Sequence, residues 1–325
     1  MNSVGTTWHA QGAADLLIVG GGPAGMMAGL LFARAGVRTL VLEKHADFFR
    51  DYRGDTVHPS TMEILSELGM LERFLERPHS RLSEARGTIV GVEYVLGDLS
   101  RLRTPAPFIA IMPQWDFLDF FRDEAKAFPG FKLRMEAPVA GFIEEECRIA
   151  GVRLDSGEEL RARLTIAADG RSSLARQLLK FENLGAPMDV VWFRVPKEPC
   201  SNMELRGIMN RGTLMALIDR GDYWQCAYIF AKGMGTAIRA EGIGLLRQRI
   251  ERAAPLLGPL EHVLTDIDQM HLLTVELDRL RCWHRAGLLA IGDAAHAMSP
   301  AGGVGINLAI QDAVARMVAQ SGVQV

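Results

Sequence analysis

An apolar run that ends in glycines and passes directly into a helix is the feature that most constrains this chain. Asp15-Leu16-Leu17-Ile18-Val19 reads as a buried parallel strand, Gly20-Gly21-Gly22-Pro23-Ala24-Gly25 as a tight turn, and Met26 to Ala35 as a helix. Gly20 permits the turn, Gly22 lets backbone approach a pyrophosphate, and Gly25 lets the helix pack closely on the strand. The helix start adds free amides and a partial positive charge. A second strand, Arg38 to Leu42, leads to Glu43 and Lys44, which puts an acid about 20 residues beyond the glycines, where a ribose diol is met. Together these signals specify an adenine dinucleotide site on an α/β fold.

Composition narrows the setting. At 325 residues, 48% hydrophobic and 23% charged, the chain has the profile of a soluble globular protein with room for two domains. Its formal net charge of −3 and the lack of any Lys/Arg block give no electrostatic case for nucleic acid. Cys147, Cys200, Cys226 and Cys282 lie far apart with no CxxC pair, so neither a metal site nor a disulfide framework is expected, and a cytoplasmic setting is. Leu16 to Ala33 is uncharged and long enough to suggest a membrane span. Three glycines and a proline interrupt it and no basic residue precedes it, so no integral membrane segment is expected.

Beyond Glu43, a charged loop carrying Arg50, Arg53 and His58 feeds a helix starting near Thr61. Arg53, followed by glycine, can bring its fork against a pyrophosphate. Gly87 to Val95 and Phe108 to Met112 read as antiparallel strands, and Pro113 opens a helix with Gln114 in its first turn, placed to reach a ligand. Phe131 to Met135, Val139 to Ile143 and Ile149 to Leu154 read as a β-meander bordering the first domain.

Two further strand ends repeat the chemistry of the first. Leu164 to Ala168 runs into Asp169-Gly170 and a helix start, and Gly287 to Ile291 runs into Gly292-Asp293. After the latter come Pro300, the glycines between Gly302 and Gly305, and a helix from Leu308 to Val318. Those glycines leave room for a flat ring, and the free amides of Ile306 and Asn307 would stabilise negative charge on it.

In that order, the three motifs resemble those of the FAD-dependent aromatic hydroxylases of the para-hydroxybenzoate hydroxylase type, along nearly the whole chain. The resemblance implies a Rossmann-like α/β FAD-binding domain with a parallel sheet and β-meander, interleaved with a mixed-sheet substrate domain. The expected FAD-binding parts are 1–84, 108–180 and 276–325, and the substrate parts 85–107 and 181–275. It implies that Gly20, Gly22, Pro23, Ala24 and Gly25 hold the ADP half, with Glu43 and Lys44 at the ribose and Arg53 along the pyrophosphate. Gln114 would touch the cofactor. Asp169 and Gly170 would serve the pyrophosphate and the nicotinamide nucleotide, Gly292 and Asp293 the ribityl chain, and Gly305, Ile306 and Asn307 the ring. His58 and Pro300 are expected near the flavin, with no catalytic base assigned.

The implied reaction is a monooxygenation: NADH or NADPH reduces FAD, O2 forms a flavin C4a-hydroperoxide, and one oxygen passes to an aromatic or heteroaromatic small molecule. Met215, Tyr223 and Gln225 are candidate substrate contacts on the second sheet. A homodimer is compatible with the family. The family's chains continue with further C-terminal helices that this sequence lacks after Val325. Two alternatives stay open: a truncated FAD- or ligand-binding protein without turnover, and a halogenase. Val191-Trp192-Phe193-Arg194-Val195-Pro196 is only superficially like the halogenase WxWxIP motif.

Overall fold

The computed structural model describes residues 14–49, 56–198, 205–210 and 212–321. Its centre is a six-stranded sheet in the order His284–Arg285, Leu288–Ala290, Leu164–Ala167, Leu16–Val19, Thr39–Leu42, Phe131–Arg134. All neighbours are parallel except the short edge strand His284–Arg285. Side-chain alternation along Leu16–Val19 makes this sheet the middle of three layers. Leu16 and Ile18 pack towards Met26, Met27 and Leu30 of the helix Pro23–Arg34, whereas Leu17 and Val19 pack towards Val152 and Leu154 of a three-stranded meander. Helices Gln114–Ala125 and Gly305–Ser321 flank Pro23–Arg34 in the helical layer.

The meander consists of Val139–Glu145, Arg148–Leu154 and Glu159–Arg161. Phe131–Arg134, expected within it, instead pairs in parallel with Thr39–Leu42 at the edge of the central sheet. The reason is connectivity: a parallel neighbour needs a crossover, and the helix Gln114–Ala125 supplies it.

A second, seven-stranded sheet runs in the order His271–Leu273, Met188–Pro196, Tyr223–Ala231, Thr213–Asp219, Leu205–Asn210, Glu84–Ile89, Val92–Asp98. One face is sealed by the helix Ile243–Ala253, whose Leu246 and Ile250 pack on Phe193, Met215, Leu217 and Cys226. The opposite face carries a cross-strand row of Trp192, Ala227, Ala216, Gly207, Gly87 and Tyr94. The four central members of that row are alanine or glycine; Leu96 of the edge strand lies over Gly87, and Ala227 packs with Val190 and Val275. No described helix is long and apolar enough to cross a membrane.

Candidate cofactor site

Strand order in the central sheet reverses at Leu16–Val19, which lies between Thr39–Leu42 and Leu164–Ala167. In an open parallel sheet the crevice beyond the carboxyl ends of the strands at such a reversal is where ligands bind. The backbone locks those ends together: Gly20 N donates to Leu42 O at 2.8 Å, Ala168 N to Val19 O at 2.7 Å, and Ile291 N to Ala167 O at 3.0 Å. Gly20–Gly25, Glu43, Asp169–Gly170 and Gly292–Asp293, remote in sequence, therefore share one edge.

Each glycine of the first turn meets a different demand. Gly20 has φ +105°, and a Cβ there would sit 2.4 Å from Ala168 O. At Gly25 a Cβ would sit 1.9 Å from Gly20 O, so any side chain forces helix and turn apart. A Cβ at Gly22 would meet nothing within 4 Å, which leaves open space in front of the helix. Gly22 is also the N-cap of Pro23–Arg34 with no side-chain cap, so the helix's first amides face that space without a side-chain acceptor. An uncapped N-terminus behind an open approach fits a diphosphate, with Pro23 and Ala24 forming the first turn.

Glu43, 8% exposed, accepts from Gly21 N at 2.8 Å through Oε2, while Oε1 accepts from His45 N at 3.1 Å. These bonds aim the carboxylate across the glycine turn. Lys44 is exposed, and its charge reaches Asp169. Gln114 opens its helix and is half-buried beside Trp115, whose ring lies 4.9 Å from that of Phe49. Arg50 and Arg53 lie outside the described residues.

At the second strand end, Asp169 Oδ2 accepts from Leu174 N at 3.1 Å, whereas Oδ1 is buried with no partner among the described residues. Burial raises the pKa of Asp169, against hydrogen bonds from Ser173 and Leu174. An orphaned carboxylate oxygen beside a glycine turn fits a group that brings hydroxyls or a water-bridged phosphate. The short helix that follows, Ala175–Leu178, is not capped by its N-cap side chain; Ser173 Oγ instead accepts from Ala175 N at 3.1 Å.

The third end is held by residues that the sequence reading did not single out. Arg171 Nε donates to Asp293 Oδ2 at 3.2 Å, tying the Asp-Gly turn to the Gly-Asp turn. Arg176 makes a bidentate pair with buried Asp278, both bonds 2.7 Å, and also donates to Asp293 O at 2.8 Å. From the final helix, Asp312 Oδ2 accepts from Gly292 N and bonds His296 Nε2, each at 2.8 Å. The hydrogen bond to Asp312 raises the pKa of His296 against the effect of burial. Arg171 had a local signal, following Asp-Gly directly. Asp312 had none, since only the packing of the helix brings it beneath Gly292.

The glycine loop before that helix is fastened to the segment carrying His58. Asn307, 3% exposed, accepts through Oδ1 from His58 N at 2.8 Å and Thr61 Oγ1 at 2.7 Å; its Nδ2 donates to Thr56 O and Gly303 O, both at 3.1 Å. This amide is fully used within the protein, so what it offers a ligand is the backbone of Gly305, Ile306 and Asn307. Pro300 precedes the turn and its carbonyl accepts from Gly303 N at 3.1 Å. His58 Nε2 is buried with no partner among the described residues, and burial lowers the pKa of His58.

A matching family model, described as an FAD binding domain, covers residues 13–318. The chain belongs to the FAD-dependent aromatic hydroxylase family. Its cofactor is FAD. It is 32% identical over 321 residues to 6-methylpretetramide 4-monooxygenase of Streptomyces rimosus, covering 94% of this chain and 75% of that one. To rifampicin monooxygenase of Streptomyces venezuelae it is 30% identical, covering 92% of this chain but 62% of that one. In fold it is similar to PqsL, a probable FAD-dependent monooxygenase from Pseudomonas aeruginosa, with a TM-score of 0.77 at 22% identity, covering 95% of this chain and 87% of that one. The chain thus spans between 62% and 87% of the length of these three proteins.

Strand parity separates the residues of the second sheet that were expected at the substrate. Tyr223 and Gln225 lie on the small-residue face, where Gln225 Oε1 accepts from Arg220 Nε at 3.0 Å. Met215 is on the other face, 0% exposed under the helix Ile243–Ala253. The structure therefore corrects its assignment as a substrate contact: Met215 is a core residue, because alternation turns it towards the helix.

Proposed function

We propose that this chain is the flavin-binding and substrate-binding core of an NAD(P)H-dependent monooxygenase that hydroxylates an aromatic or heteroaromatic small molecule. The observation that carries this reading is the shared edge of the three strand ends, with an open approach at Gly22 and the Gly302–Asn307 loop alongside. Bound FAD, reduced by NADH or NADPH, supplies the electrons for the net conversion of aromatic C–H, O2, NAD(P)H and a proton to phenol, water and NAD(P)+.

The protein's part is to bind, orient and shield. The amides after Pro23 and the Asp169–Gly170 turn hold the diphosphate. Glu43 takes the adenosine ribose diol. The Gly292–Asp293 turn, anchored from below by Asp312, takes the ribityl chain. The N-terminus of Gly305–Ser321 would lie against the flavin ring and would favour negative charge on it in the reduced state. With residues 1–84, 108–180 and 276–325 as the FAD-binding part and 85–107 and 181–275 as the substrate part, the small-residue sheet face with Tyr223 and Gln225 is the proposed substrate wall. Its small-residue row supports a flat ring system as the ligand, and the relatives from Streptomyces named as monooxygenases support oxygen transfer to it.

The test is spectroscopic. Purified protein mixed with FAD gives a visible flavin spectrum that NADPH or NADH bleaches faster in the presence of one compound from a phenolic panel, with a product heavier by one oxygen. A protein that takes up FAD but shows no ligand-stimulated bleaching is a binder without turnover.

A further inference from the structure

One carboxylate oxygen behind the cofactor crevice serves two donors. Asp312 Oδ2 accepts from Gly292 N and from His296 Nε2, each at 2.8 Å, and the two side chains are largely buried, 15% and 13% exposed. A carboxylate can only accept, so Nε2 keeps its hydrogen whether the ring is charged or neutral, and the proton that titrates is the one on Nδ1. The clamp therefore keeps its hydrogen bonds when the ring is deprotonated, but not its charge. With a charged ring the pair is neutral; with a neutral ring it carries a full negative charge.

That charge lies close to the crevice. Gly292 packs so tightly on the first turn of Pro23–Arg34 that a Cβ there would sit 2.9 Å from that of Ala24. The bond to Gly292 N thus sets Asp312 directly behind the Gly292–Asp293 turn and near the helix start read above as the diphosphate's seat. The neighbouring charges are already matched. Arg176 is committed to Asp278, on the strand beside His296–Ala297, and Arg171 holds Asp293. Arg279, opposite His296 in that ladder, pairs with Glu182. His296 offsets Asp312, whose hydrogen bond holds the histidine pKa above its usual value against burial; the charges of Asp312 and Asp293 add to this, and that of Arg176 opposes it.

We infer that His296 is a positioning residue whose proton is coupled to the cofactor: with the ring charged, the crevice takes the dianionic diphosphate of FAD more tightly than with the ring neutral. This rests on the reading of the crevice as the FAD site. Linkage fixes the sign and makes the effect reciprocal. Affinity is full below the His296 pKa of the free protein and falls as pH rises through its value in the complex. Bound FAD raises that pKa by the logarithm of the same factor.

The test measures FAD dissociation constants of the apoprotein by fluorescence from about pH 5.5 to about pH 9, with NMR titration of His296 in parallel. FAD should bind ~5-fold more weakly at the alkaline end, and its binding should move the His296 titration up by about 0.7 in pH. His296→Gln keeps a donor to Asp312 but cannot titrate, so its affinity should stay level to within ~2-fold. Asp312→Asn lowers the His296 pKa, and the affinity step should follow it to lower pH. A wild-type affinity that is flat across this range overturns the inference, as does a His296 titration that FAD leaves unmoved. So does a His296→Gln protein that keeps the wild-type profile, which assigns the proton to His58 or to His45 beside Glu43. Failure to take up FAD at any pH overturns the reading of the site, and the inference with it.

Discussion

Two alanine substitutions three residues apart should separate what the glycine turn does for folding from what it does for the cofactor. A Cβ at Gly25 falls 1.9 Å from Gly20 O, and since ordinary contact begins at 3.4 Å, helix and turn must part by about 1.5 Å. Both partners are backbone, so no rotamer change relieves the contact, and the helix Pro23–Arg34 is wedged between the sheet and the helices Gln114–Ala125 and Gly305–Ser321. Overpacking of this kind costs ~3 kcal/mol. In a domain this large, that lowers the melting temperature by roughly 5–10 °C. Gly22, with φ −73° and ψ −177° and nothing within 4 Å of its Cβ position, accepts alanine without strain. Gly22→Ala should therefore melt within about 1 °C of wild type, because its conformation suits any residue. The added methyl occupies the diphosphate approach, so its FAD dissociation constant should rise roughly 10- to 100-fold, or about 1.4–2.7 kcal/mol. Apoprotein thermal denaturation and FAD titration of both variants decide the matter. If Gly22→Ala binds FAD like wild type, the open space is not the diphosphate's, and the reasoning fails.

Other expectations follow from single contacts. Asn307→Ala strands His58 N and the Thr56 and Gly303 carbonyls, and should cost ~2–4 kcal/mol in urea denaturation even without FAD. Asp312→Asn removes the charge that raises the pKa of His296, so NMR titration should find His296 titrating at lower pH in the variant. Because that pKa is raised in the folded protein, the pair's stabilisation is fully present below about pH 6.5 and is lost as pH climbs through the folded value; wild type and variant should converge in stability on the alkaline side. Met215→Ala should cost ~2–4 kcal/mol by opening a cavity under the helix Ile243–Ala253, while Gln225→Leu should alter KM for a phenolic substrate with less effect on folding.

The strand ends at the crevice were legible because each is a short apolar run closed by glycine, an acid or both, a pattern that survives without tertiary information. Phe131–Arg134 was assigned to the wrong sheet for the complementary reason: half-buried edge strands look alike whether their neighbour is parallel or antiparallel, and the crossover helix alone distinguishes them. Strand parity explains Met215. Alternation predicts two faces but not which one a helix will cover, and that depended on where Ile243–Ala253 docks. Asp312 and the clasp made by Asn307 were out of reach, because each joins residues that only the packing of the last helix brings together. Asn307 itself was found through its position at a helix start, although its side chain turned out to serve the protein rather than the ligand.

The clasp between Asn307 and the segment Thr56–Thr61 closes a chain loop of roughly 250 residues, within which the whole seven-stranded sheet is folded. No local segment, however well formed, can assemble the clasp, because its two halves leave the translation machinery roughly 250 residues apart. If the proposed ring site lies at this clasp, flavin colour in a refolding preparation should register closure of that loop, and a nick between the two halves should slow its appearance more than it weakens the finished complex.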